Sequence, residues 1–357
     1  MILETLHTDR FRNLSAETVA FHPTANILVG RNGQGKTNLL EAIYFLATTK
    51  SFRTSRVASM FRHGAPNTFA SGVLHRDGVE RTLSVGLESG ESKRRVLMIN
   101  GEKVTLAAYL NAMAVFAYSS ARLDILRGAP EERRRFLDRG IASINPAYLE
   151  QLTRYARVLK QRNALLHEAA PASTLDAWDA ELAQAATLVH RARSAYASDL
   201  GALFAEIVAQ HGYHVGNVEL QYKPSRTDEL ARHRRDELRA RMTLVGPQRD
   251  LVEFVVEGRP AAEVLSGGEQ KMIVLFLKFA KLELFRRRHD DAPLFLLDDV
   301  DAELDLEILQ KLLTKLPVST QVFATSAKEV FLQALEAGPH RRLTVENGRV
   351  IASRDFA

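Results

Sequence analysis

The 357-residue chain contains no cysteine. This absence excludes disulfides, zinc sites with cysteine ligands and thiol catalysis, and it is typical of proteins of the reducing cytosol. Long apolar runs are absent too: the most apolar window, residues 272–285, is interrupted by Lys278, Lys281 and Glu283, so no run of about 18 apolar residues is available to span a membrane. The N-terminus lacks the basic start and apolar stretch of a secretory signal. These absences predict a cytoplasmic protein without a membrane partner.

Charge is abundant and nearly balanced. The chain has 48 Lys and Arg residues against 43 Asp and Glu residues, a net charge of +5. This balance permits a polyanionic partner such as nucleic acid, but many proteins carry it for solubility alone. Hydrophobic residues make up 46% of the chain, which is typical of a protein that forms a core. The length predicts one large domain with a second lobe.

The patterning divides the chain into three parts. Residues 1–122 predict mixed α/β structure with hairpin turns at Asp77-Gly78 and Asn100-Gly101. Residues 123–240 predict a mainly helical lobe that is inserted into the α/β domain, and residues 241–357 predict the rest of that domain. Strand-like segments at residues 218–222 and 251–256 follow the helical texture.

The inserted lobe is predicted to contain an antiparallel helical hairpin at about residues 147–210. Two helices with apolar stripes are separated by Ala169-Ala170-Pro171, and Ser173 is placed to cap the second helix. An arm of this size reaches about 50 Å. The stripes indicate helix–helix packing, and they consist of Leu152, Ala156, Leu159, Asn163 and Leu166, then Leu175, Trp178, Leu182, Ala185, Val189, Ala192 and Tyr196.

A glycine-rich loop lies between a predicted strand at residues 26–29 and a predicted amphipathic helix at residues 38–46. It matches the pattern G-x4-G-K-[ST] and consists of Gly30, Arg31, Asn32, Gly33, Gln34, Gly35, Lys36 and Thr37. At a helix N-terminus the dipole favours anions. The glycines let backbone N–H groups surround a phosphate, Lys36 would bind the β- and γ-phosphates of ATP, and the Thr37 hydroxyl would bind Mg²⁺.

Two acidic residues, Asp298 and Asp299, follow a second apolar strand at residues 294–297. In open α/β sheets, ligands bind at the C-terminal ends of the strands. Asp298 is placed to hold Mg²⁺ through water, and Asp299 to orient or deprotonate the attacking water, with Lys36 as the other catalytic residue. Alternatively, the two acids only cap the following helix. The glycine-rich loop favours the catalytic interpretation, because each motif requires the other.

A third motif, after Leu265, predicts the class of P-loop protein. Ser266 and Glu269 form a capping-box pattern for a helix that begins at Gly267. With the two glycines between them, these residues resemble the signature of the ABC ATPase superfamily, which binds the γ-phosphate held by a partner subunit. Residues 301–305 resemble the D-loop of that superfamily. The resemblance implies that ATP joins two copies of the chain through Ser266, Gly267, Gly268, Glu269, Gln270 and Asp305.

Further strings resemble one family, RecF, in the family order from residue 11 to about residue 305. They are Phe11-Arg12-Asn13-Leu14, residues 32–44 around Lys36, Ser51-Phe52-Arg53-Thr54, Arg133-Arg134-Arg135-Phe136-Leu137-Asp138, Val245-Gly246-Pro247-Gln248-Arg249-Asp250, and residues 296–305. The resemblance adds Arg12 to the ATP-binding residues. Two departures are Gln248, where the family usually has histidine, and the unusually glycine-rich signature.

The resemblance implies an α/β fold: an ABC-type P-loop ATPase head with a mixed sheet, interrupted by the helical arm. It also implies a protein of DNA repair, recombination and replication with ATP and Mg²⁺ as cofactors. The ATP-bound dimer would bind double-stranded DNA near single-strand gaps and, with RecO and RecR, help to load RecA. ATP hydrolysis would be slow and stimulated by DNA, and the protein would lie in the cytoplasm at the nucleoid.

Basic clusters supply candidate DNA contacts. Residues 226–241 hold six arginines against four acids, a mixture that also suits a solvated helix face. The run at residues 133–135 follows two glutamates and can be a structural ion-pair network. Since no aromatic platform for stacking bases is visible, the sequence predicts backbone recognition with little sequence preference. The candidates are Arg53, Arg56, Arg62, Arg94 and Arg95.

Two other functions compete with this one. The energising subunit of a transporter needs a switch histidine after the strand that follows the acidic pair, and residues 321–327 contain no histidine. A P-loop kinase has no use for the Ser266 signature. Copurification with a membrane protein would favour the first alternative, and ATP consumption that depends on a metabolite would favour the second.

Overall fold

The computed structural model describes residues 1–54, 56–89, 95–119, 123–168, 170–210, 217–299, 306–314, 316, 319–325 and 338–357. The chain forms two compact units: unit 1 comprises Met1–Arg122 with Gly267–Ala357, and unit 2 comprises Leu123–Ser266. Unit 1 begins with β1 (Ile2–Asp9), β2 (Thr18–Ala20), β3 (Ala25–Val29), α1 (Lys36–Thr48), β4 (Asn67–Arg76), β5 (Val79–Glu88), β6 (Arg95–Ile99), β7 (Glu102–Lys103), α2 (Leu106–Ala112) and β8 (Val115–Ser119).

Unit 2 and the second part of unit 1 follow along the chain. Unit 2 contains α3 (Asp124–Arg127), α4 (Pro130–Ile144), α5 (Tyr148–His167), α6 (Ala172–Gln210), β9 (Val218–Lys223), α7 (Leu230–Ala240), β10 (Leu251–Val256), β11 (Arg259–Pro260) and α8 (Ala261–Val264). Unit 1 then continues with α9 (Gly267–His289), β12 (Leu294–Asp298), α10 (Leu306–Thr314), β13 (Val322–Thr325), β14 (His340–Glu346) and β15 (Arg349–Phe356).

The first sheet of unit 1 is mixed, as the sequence predicts. Its strand order is β15-β14-β3-β13-β12-β8. The five strands from β14 to β8 run parallel, and β15 pairs antiparallel with β14 at the edge. The registers place Leu28 opposite Thr325 and Leu297 opposite Ala324. The C-terminal ends of β3, β13 and β12 therefore lie side by side at one edge, where the glycine-rich loop and the acidic pair begin.

The second sheet of unit 1 is antiparallel, with the order β2-β1-β4-β5-β6-β7. Asp77 and Gly78 join β4 to β5, and Asn100 and Gly101 join β6 to β7. All four residues have positive φ, from 53° to 82°. That geometry belongs to the two-residue turn whose twist matches that of paired strands. The two predicted hairpins are confirmed.

Helix α1 contacts strands of both sheets. Nine of its thirteen residues are buried, and most of these are apolar. A helix that is apolar nearly all round is stable only when it is covered on more than one side. This double cover fixes α1, and with it the position of the loop that precedes its first residue.

The predicted helical hairpin of unit 2 is confirmed. Arg154 at the start of α5 binds Glu181 at 3.1 Å, and Arg162 near its end binds Asp179 at 2.7 Å, so α5 and α6 run antiparallel. Helix α6 has 39 residues and is about 58 Å long, somewhat more than predicted.

Two details of the hairpin prediction were wrong. Helix α6 begins at Ala172, so Ser173 lies inside its first turn instead of capping it. On α5, Ala156 is exposed, and the buried side chains are Tyr155, Val158, Arg162 and Leu166. The buried stripe is displaced because the side chain of Arg162 fills the centre of the packed face, where an ion-pair network satisfies it.

The division between the units lies after Ser266, whereas the sequence predicts the end of the helical lobe at residue 240. Strands β9, β10 and β11 form an antiparallel sheet, in which β9 packs on α6 and β10 on α4. These strands therefore belong to the helical unit. The assignment of the two units as an ATPase domain and an inserted lobe stays a prediction.

The carboxylate of Asp250 lies at the centre of a buried polar cluster in unit 2. It accepts hydrogen bonds from Arg193 at 2.8 Å, from the Tyr222 hydroxyl at 2.6 Å and from the Ser225 amide at 2.9 Å, and it pairs with His190 at 3.0 Å. Burial alone raises the pKa of this carboxyl group, but the hydrogen bonds outweigh burial and lower it. The last residue of the string 245–250 is therefore a structural hub.

The arginine run at residues 133–135 is also structural. Arg133 donates to the carbonyl oxygens of Val252 and Gly128 at 2.6 and 2.8 Å. Arg134 donates to the Asp250 carbonyl at 3.1 Å, and Arg135 binds Glu131 and Glu132. This confirms the alternative interpretation of the run as a network within the fold.

Asp250→Asn is expected to lower the free energy of unfolding at pH 7 by about 1–3 kcal/mol, because the buried Arg193 would keep Asp138 as its only carboxylate partner among the described residues and would lose its ion pair with Asp250. In the wild type, the ionised Asp250 contributes its full share to the free energy of unfolding at pH values above the ordinary aspartate pKa of about 3.9. This contribution is lost as the pH falls through the lowered pKa. Urea unfolding at pH 7 and pH 3 measures both effects. Asp355→Asn, in an exposed pair with Arg341, is the control with little effect; equal losses in both variants would contradict the hub.

Candidate nucleotide site

The glycine-rich loop runs from the end of β3 to the first turn of α1 in unit 1. Gly30, Gly33 and Gly35 have φ values of 143°, 80° and 112°, a region that residues with a side chain rarely adopt. A Cβ at Gly30 would lie 2.3 Å from the Val345 carbonyl oxygen of β14. The loop therefore needs glycine both for its backbone conformation and for its close approach to the neighbouring strand.

Lys36 is folded into the loop that precedes it. Its ammonium group donates to the carbonyl oxygens of Gly30 at 2.6 Å and Arg31 at 3.1 Å, and the residue is only 6% exposed. These bonds hold a positive charge inside the curve of the loop. Phosphate oxygens are stronger acceptors for an ammonium group than carbonyl oxygens, so this lysine is suited to bind them.

The two predicted metal-binding residues are in direct contact. The Thr37 hydroxyl donates to Oδ1 of Asp298 at 2.8 Å, which joins the start of α1 to the end of β12. Thr325, at the end of β13, donates to the same oxygen at 3.0 Å. Burial raises the pKa of Asp298, and the two hydroxyl groups oppose that shift. This set of oxygen atoms suits Mg²⁺.

Asp299 is exposed and follows the end of β12 directly. Its φ is 53°, and its amide donates to the Thr325 hydroxyl at 2.9 Å. Thr325 thus binds both acidic residues. Thr325 was not among the predicted site residues; its position at the end of the strand after the acidic pair was the signal that would have identified it.

A turn at the C-terminal end of the chain braces the loop. The Asn347 amide donates to the Gln34 side chain at 2.7 Å, and the Gly348 amide donates to the Gln34 carbonyl at 2.8 Å. A Cβ at Gly348 would lie 2.0 Å from the Asn13 carbonyl oxygen. Sequence reasoning missed this contact, since 313 residues separate Gln34 from Asn347.

Gly348→Ala is expected to weaken binding of a fluorescent ATP analogue about tenfold or more, because the added Cβ collides with the Asn13 carbonyl oxygen and so displaces the turn that binds Gln34. Gly101→Ala is the matched control: Gly101 follows an asparagine in the same kind of turn, with φ of 82°, but has nothing within 4 Å of its Cβ position. Equal affinity in the two variants would mean that the turn does not brace the loop.

A buried carboxylate gathers side chains beside the loop. Glu41 of α1 accepts two hydrogen bonds from Arg12, at 2.5 and 2.7 Å, and a short one from the Ser51 hydroxyl. The Arg53 guanidinium group lies 3.4 Å from the same carboxylate and donates to the Asn38 side chain at 2.7 Å. The predicted ATP-binding Arg12 and the predicted DNA-binding Arg53 therefore share one anchor.

Comparisons with known proteins decide the family. The model of the RecF/RecN/SMC N-terminal domain matches residues 2–348. A DNA replication and repair protein RecF from Symbiobacterium thermophilum is 38% identical over 98% of each chain. One from Geotalea daltonii is 34% identical over 98% of this chain and all of the relative. The chain belongs to the RecF family.

Solved structures support the same conclusion for the fold. The structure of the recombination mediator protein RecF-ATP in the RecFOR pathway superimposes with a TM-score of 0.88 at 25% identity, over all of this chain and 98% of that chain. An SMC head bound to the C-winged helix domain of ScpA gives a TM-score of 0.57 at 17% identity. The predicted ABC-type head with a mixed sheet is the fold of RecF proteins and of SMC heads.

The departure of this chain from the family pattern at residue 248 has a structural explanation. The Gln248 amide group donates to the Val245 carbonyl at 2.9 Å and accepts a short hydrogen bond from the Tyr155 hydroxyl. One side chain thus supplies both a donor and an acceptor, as a neutral histidine ring can. Gln248 is a packing residue of unit 2.

The signature of this chain lies at the start of α9, which begins at Gly267 as the capping pattern predicts. Ser266 and Gly267 are exposed, and Gly268 and Glu269 are partly exposed. Gln270 is only 2% exposed, so its side chain packs within the fold and is not accessible to a ligand on another molecule. Asp305 of the predicted D-loop lies outside the described residues.

Two of the predicted DNA contacts lie beside α1, namely Arg53, which binds Asn38 of this helix, and Arg95, which binds Thr49 at its C-terminal end. Arg62 donates to the Leu14 carbonyl, and Arg95 donates to the Thr49 hydroxyl at 2.7 Å. Arg56 is exposed and makes no side-chain hydrogen bond to the described residues. Arg94 lies outside them.

The second basic candidate, residues 226–241, belongs to unit 2. Arg226 pairs with Asp228, Arg239 with Asp236, and Arg234 with Asp176 and Asp179. These three arginines are thus paired with carboxylates of the same unit, as expected for a solvated helix face. This leaves the predicted arginines of unit 1 as the stronger candidate.

The described residues fit both ATP and Mg²⁺. The glycines of the loop adopt positive φ values that leave its backbone free to curl around a phosphate, Lys36 supplies a cation inside that curve, and Thr37 and Asp298 supply the oxygen atoms that Mg²⁺ prefers. No helix in the described part of the chain is long and apolar enough to cross a membrane.

Proposed function

We propose that this protein is an ATP-driven DNA-binding protein of recombinational repair and replication-fork maintenance. The observation that carries the proposal is the 2.8 Å hydrogen bond between Thr37 and Asp298, which joins the two halves of a nucleotide site in a chain of the RecF family. An ATPase site assembled from sequence segments so far apart is what a switch protein needs. The two alternative functions, a transporter subunit and a P-loop kinase, do not agree with membership in the RecF family.

In the proposed cycle the residues act in a fixed order. The loop amides and Lys36 bind the phosphates of ATP, and Thr37 and Asp298 bind Mg²⁺. Residues 266–269 bind the ATP held by a second copy of the chain, so ATP closes a homodimer, with Asp305 as a further contact in trans. Asp299 orients the attacking water, and slow hydrolysis, stimulated by DNA, releases the two copies.

The proposed partners follow from the solved relatives, which are mediators of the RecFOR pathway. The dimer would bind double-stranded DNA next to single-strand gaps, through Arg53, Arg56, Arg62, Arg94 and Arg95. RecR and RecO would act with it and RecA would be loaded as a result. The proposed location is the cytoplasm, at the nucleoid.

The test is binding to a gapped DNA duplex with and without ATP and Mg²⁺, at two salt concentrations. We expect ATP to strengthen binding and salt to weaken it, with a slope of about 0.9 per phosphate contact on logarithmic scales. Ser266→Arg blocks closure of the dimer and should abolish the ATP effect. Ser173→Arg, which adds the same charge at an exposed position of unit 2, is the control that keeps it.

Two outcomes would contradict parts of the proposal. If the affinity for DNA were the same with and without ATP, and the same in Ser266→Arg as in the wild type, the ATPase site would remain but the proposal of an ATP-driven DNA switch would be contradicted. A large preference for one duplex sequence over another at the same salt concentration would contradict backbone recognition.

A further inference from the structure

Glu41 is a charged residue in an apolar setting. Its side chain is 0% exposed, and it is the one acidic residue among the nine buried residues of α1. Burying a carboxylate is costly, and an apolar residue of the same size usually stabilises a fold at least as well. The charge at this position therefore serves a purpose other than packing.

The way in which Glu41 binds Arg12 leaves part of the guanidinium group available. The carboxylate takes the Nε–H and one NH2 hydrogen of Arg12, so it clamps one edge of the fork. The NH1 end makes no hydrogen bond to the described residues, and the side chain is 20% exposed. A guanidinium group carries five donors, and those on the other edge remain for a ligand anion.

The same carboxylate supports a second arginine near the first turn of α1. Arg53 lies 3.4 Å from Glu41 and binds the side chain of Asn38, the residue after Thr37. Asn38 in turn donates to Asn13 at 2.7 Å, and Asn13 lies against Gly35. The charge of Arg53 is also one of those that act on the Asp298 carboxylate. Both arginines are thus connected to the glycine-rich loop.

We propose that Glu41 is a positioning residue of the nucleotide site, which holds Arg12 by one edge so that the remaining donors of Arg12 face the polyphosphate of the nucleotide. This inference rests on the proposed function, since it assumes that the loop binds ATP. A clamped guanidinium group loses little conformational entropy when a phosphate binds, whereas an unclamped arginine loses more. Glu41 itself touches no ligand and acts through Arg12.

A double-mutant cycle tests this inference, with Glu41→Gln, Arg12→Gln and the double variant. The measured quantity is kcat/KM for ATP hydrolysis, together with the dissociation constant of ATP. We expect each single variant to lose about tenfold in kcat/KM. The kcat/KM of the double variant should lie within about threefold of that of the less active single variant, because Glu41 acts through Arg12. Glu237→Gln is the matched control, because Glu237 is also 0% exposed and also binds an arginine, Arg162; its effect should multiply with that of Arg12→Gln.

Glu41→Asp keeps the charge and the fold but shortens the reach of the carboxylate. We expect it to recover part of the activity lost in Glu41→Gln, with a melting temperature close to that of the wild type. Independent effects of Glu41→Gln and Arg12→Gln, which multiply in the double variant, would overturn the inference. So would wild-type kcat/KM in folded Glu41→Asp and Glu41→Gln. Failure of the proposed function is seen separately, as a wild-type protein that does not bind ATP.

Discussion

Lys36→Met is expected to weaken ATP binding by about two to four orders of magnitude. The ammonium group is held inside the glycine-rich loop by the carbonyl oxygens of Gly30 and Arg31. With ATP bound, it would donate to phosphate oxygens instead. Two charge-assisted hydrogen bonds contribute about 1.5–3 kcal/mol each, and each 1.4 kcal/mol corresponds to about a tenfold change in affinity. Methionine fills the same space without a charge or a donor.

Titration with a fluorescent ATP analogue measures this effect directly. Lys103→Met is the control, since Lys103 is an exposed lysine of β7 in the same unit, and the loss of its charge should leave the affinity within about twofold of the wild type. Wild-type affinity in a folded Lys36→Met variant would show that the loop does not bind the phosphates. The circular dichroism of both variants should match that of the wild type.

Asp299→Asn is expected to retain ATP binding but to lower the rate of hydrolysis about 10²–10⁴-fold, the usual contribution of a general base. The backbone at Asp299 has φ of 53°, and asparagine adopts this conformation more readily than most residues. The amide bond to Thr325 involves only the backbone of residue 299. The substitution therefore changes the carboxylate and leaves the local conformation intact.

Phosphate release and light scattering in the presence of ATP and Mg²⁺ measure the two consequences. Because hydrolysis is the proposed release step, Asp299→Asn should accumulate dimers that the wild type forms only transiently. Asp290→Asn is the matched control, as Asp290 is exposed and has φ of 50° but lies before β12. Hydrolysis by Asp299→Asn at the wild-type rate would remove Asp299 from the proposed mechanism.

The sequence predicts those features that depend on neighbouring residues. The turns at Asp77-Gly78 and Asn100-Gly101 are such features, because two residues with positive φ suffice to specify them. The start of α9 at Gly267 and the strand that ends at Asp298 are others. In each case the sequence pattern lies in the same few residues as the structural feature, so that a local pattern is enough to predict the feature.

Features that depend on packing were predicted less well. The buried stripe of α5 is displaced by Arg162, which the apolar pattern cannot indicate because an arginine is buried only when other segments neutralise it. Asp179 and Glu237 do so here, at 2.7 and 2.6 Å. The end of the helical unit was also misplaced, since only the contact of β9 with α6 assigns that strand to unit 2.

By itself, the sequence of this protein indicated the α/β class, the glycine-rich loop, the acidic strand end and the resemblance to RecF, since each of these depends on patterns of neighbouring residues. The tertiary structure alone decided which distant groups complete the site. It brought Thr325 to Asp298, the Asn347-Gly348 turn to Gln34, and Glu41 to Arg12. The physical reason is that strand order and burial set these distances, and neither is encoded in the spacing of residues along the chain.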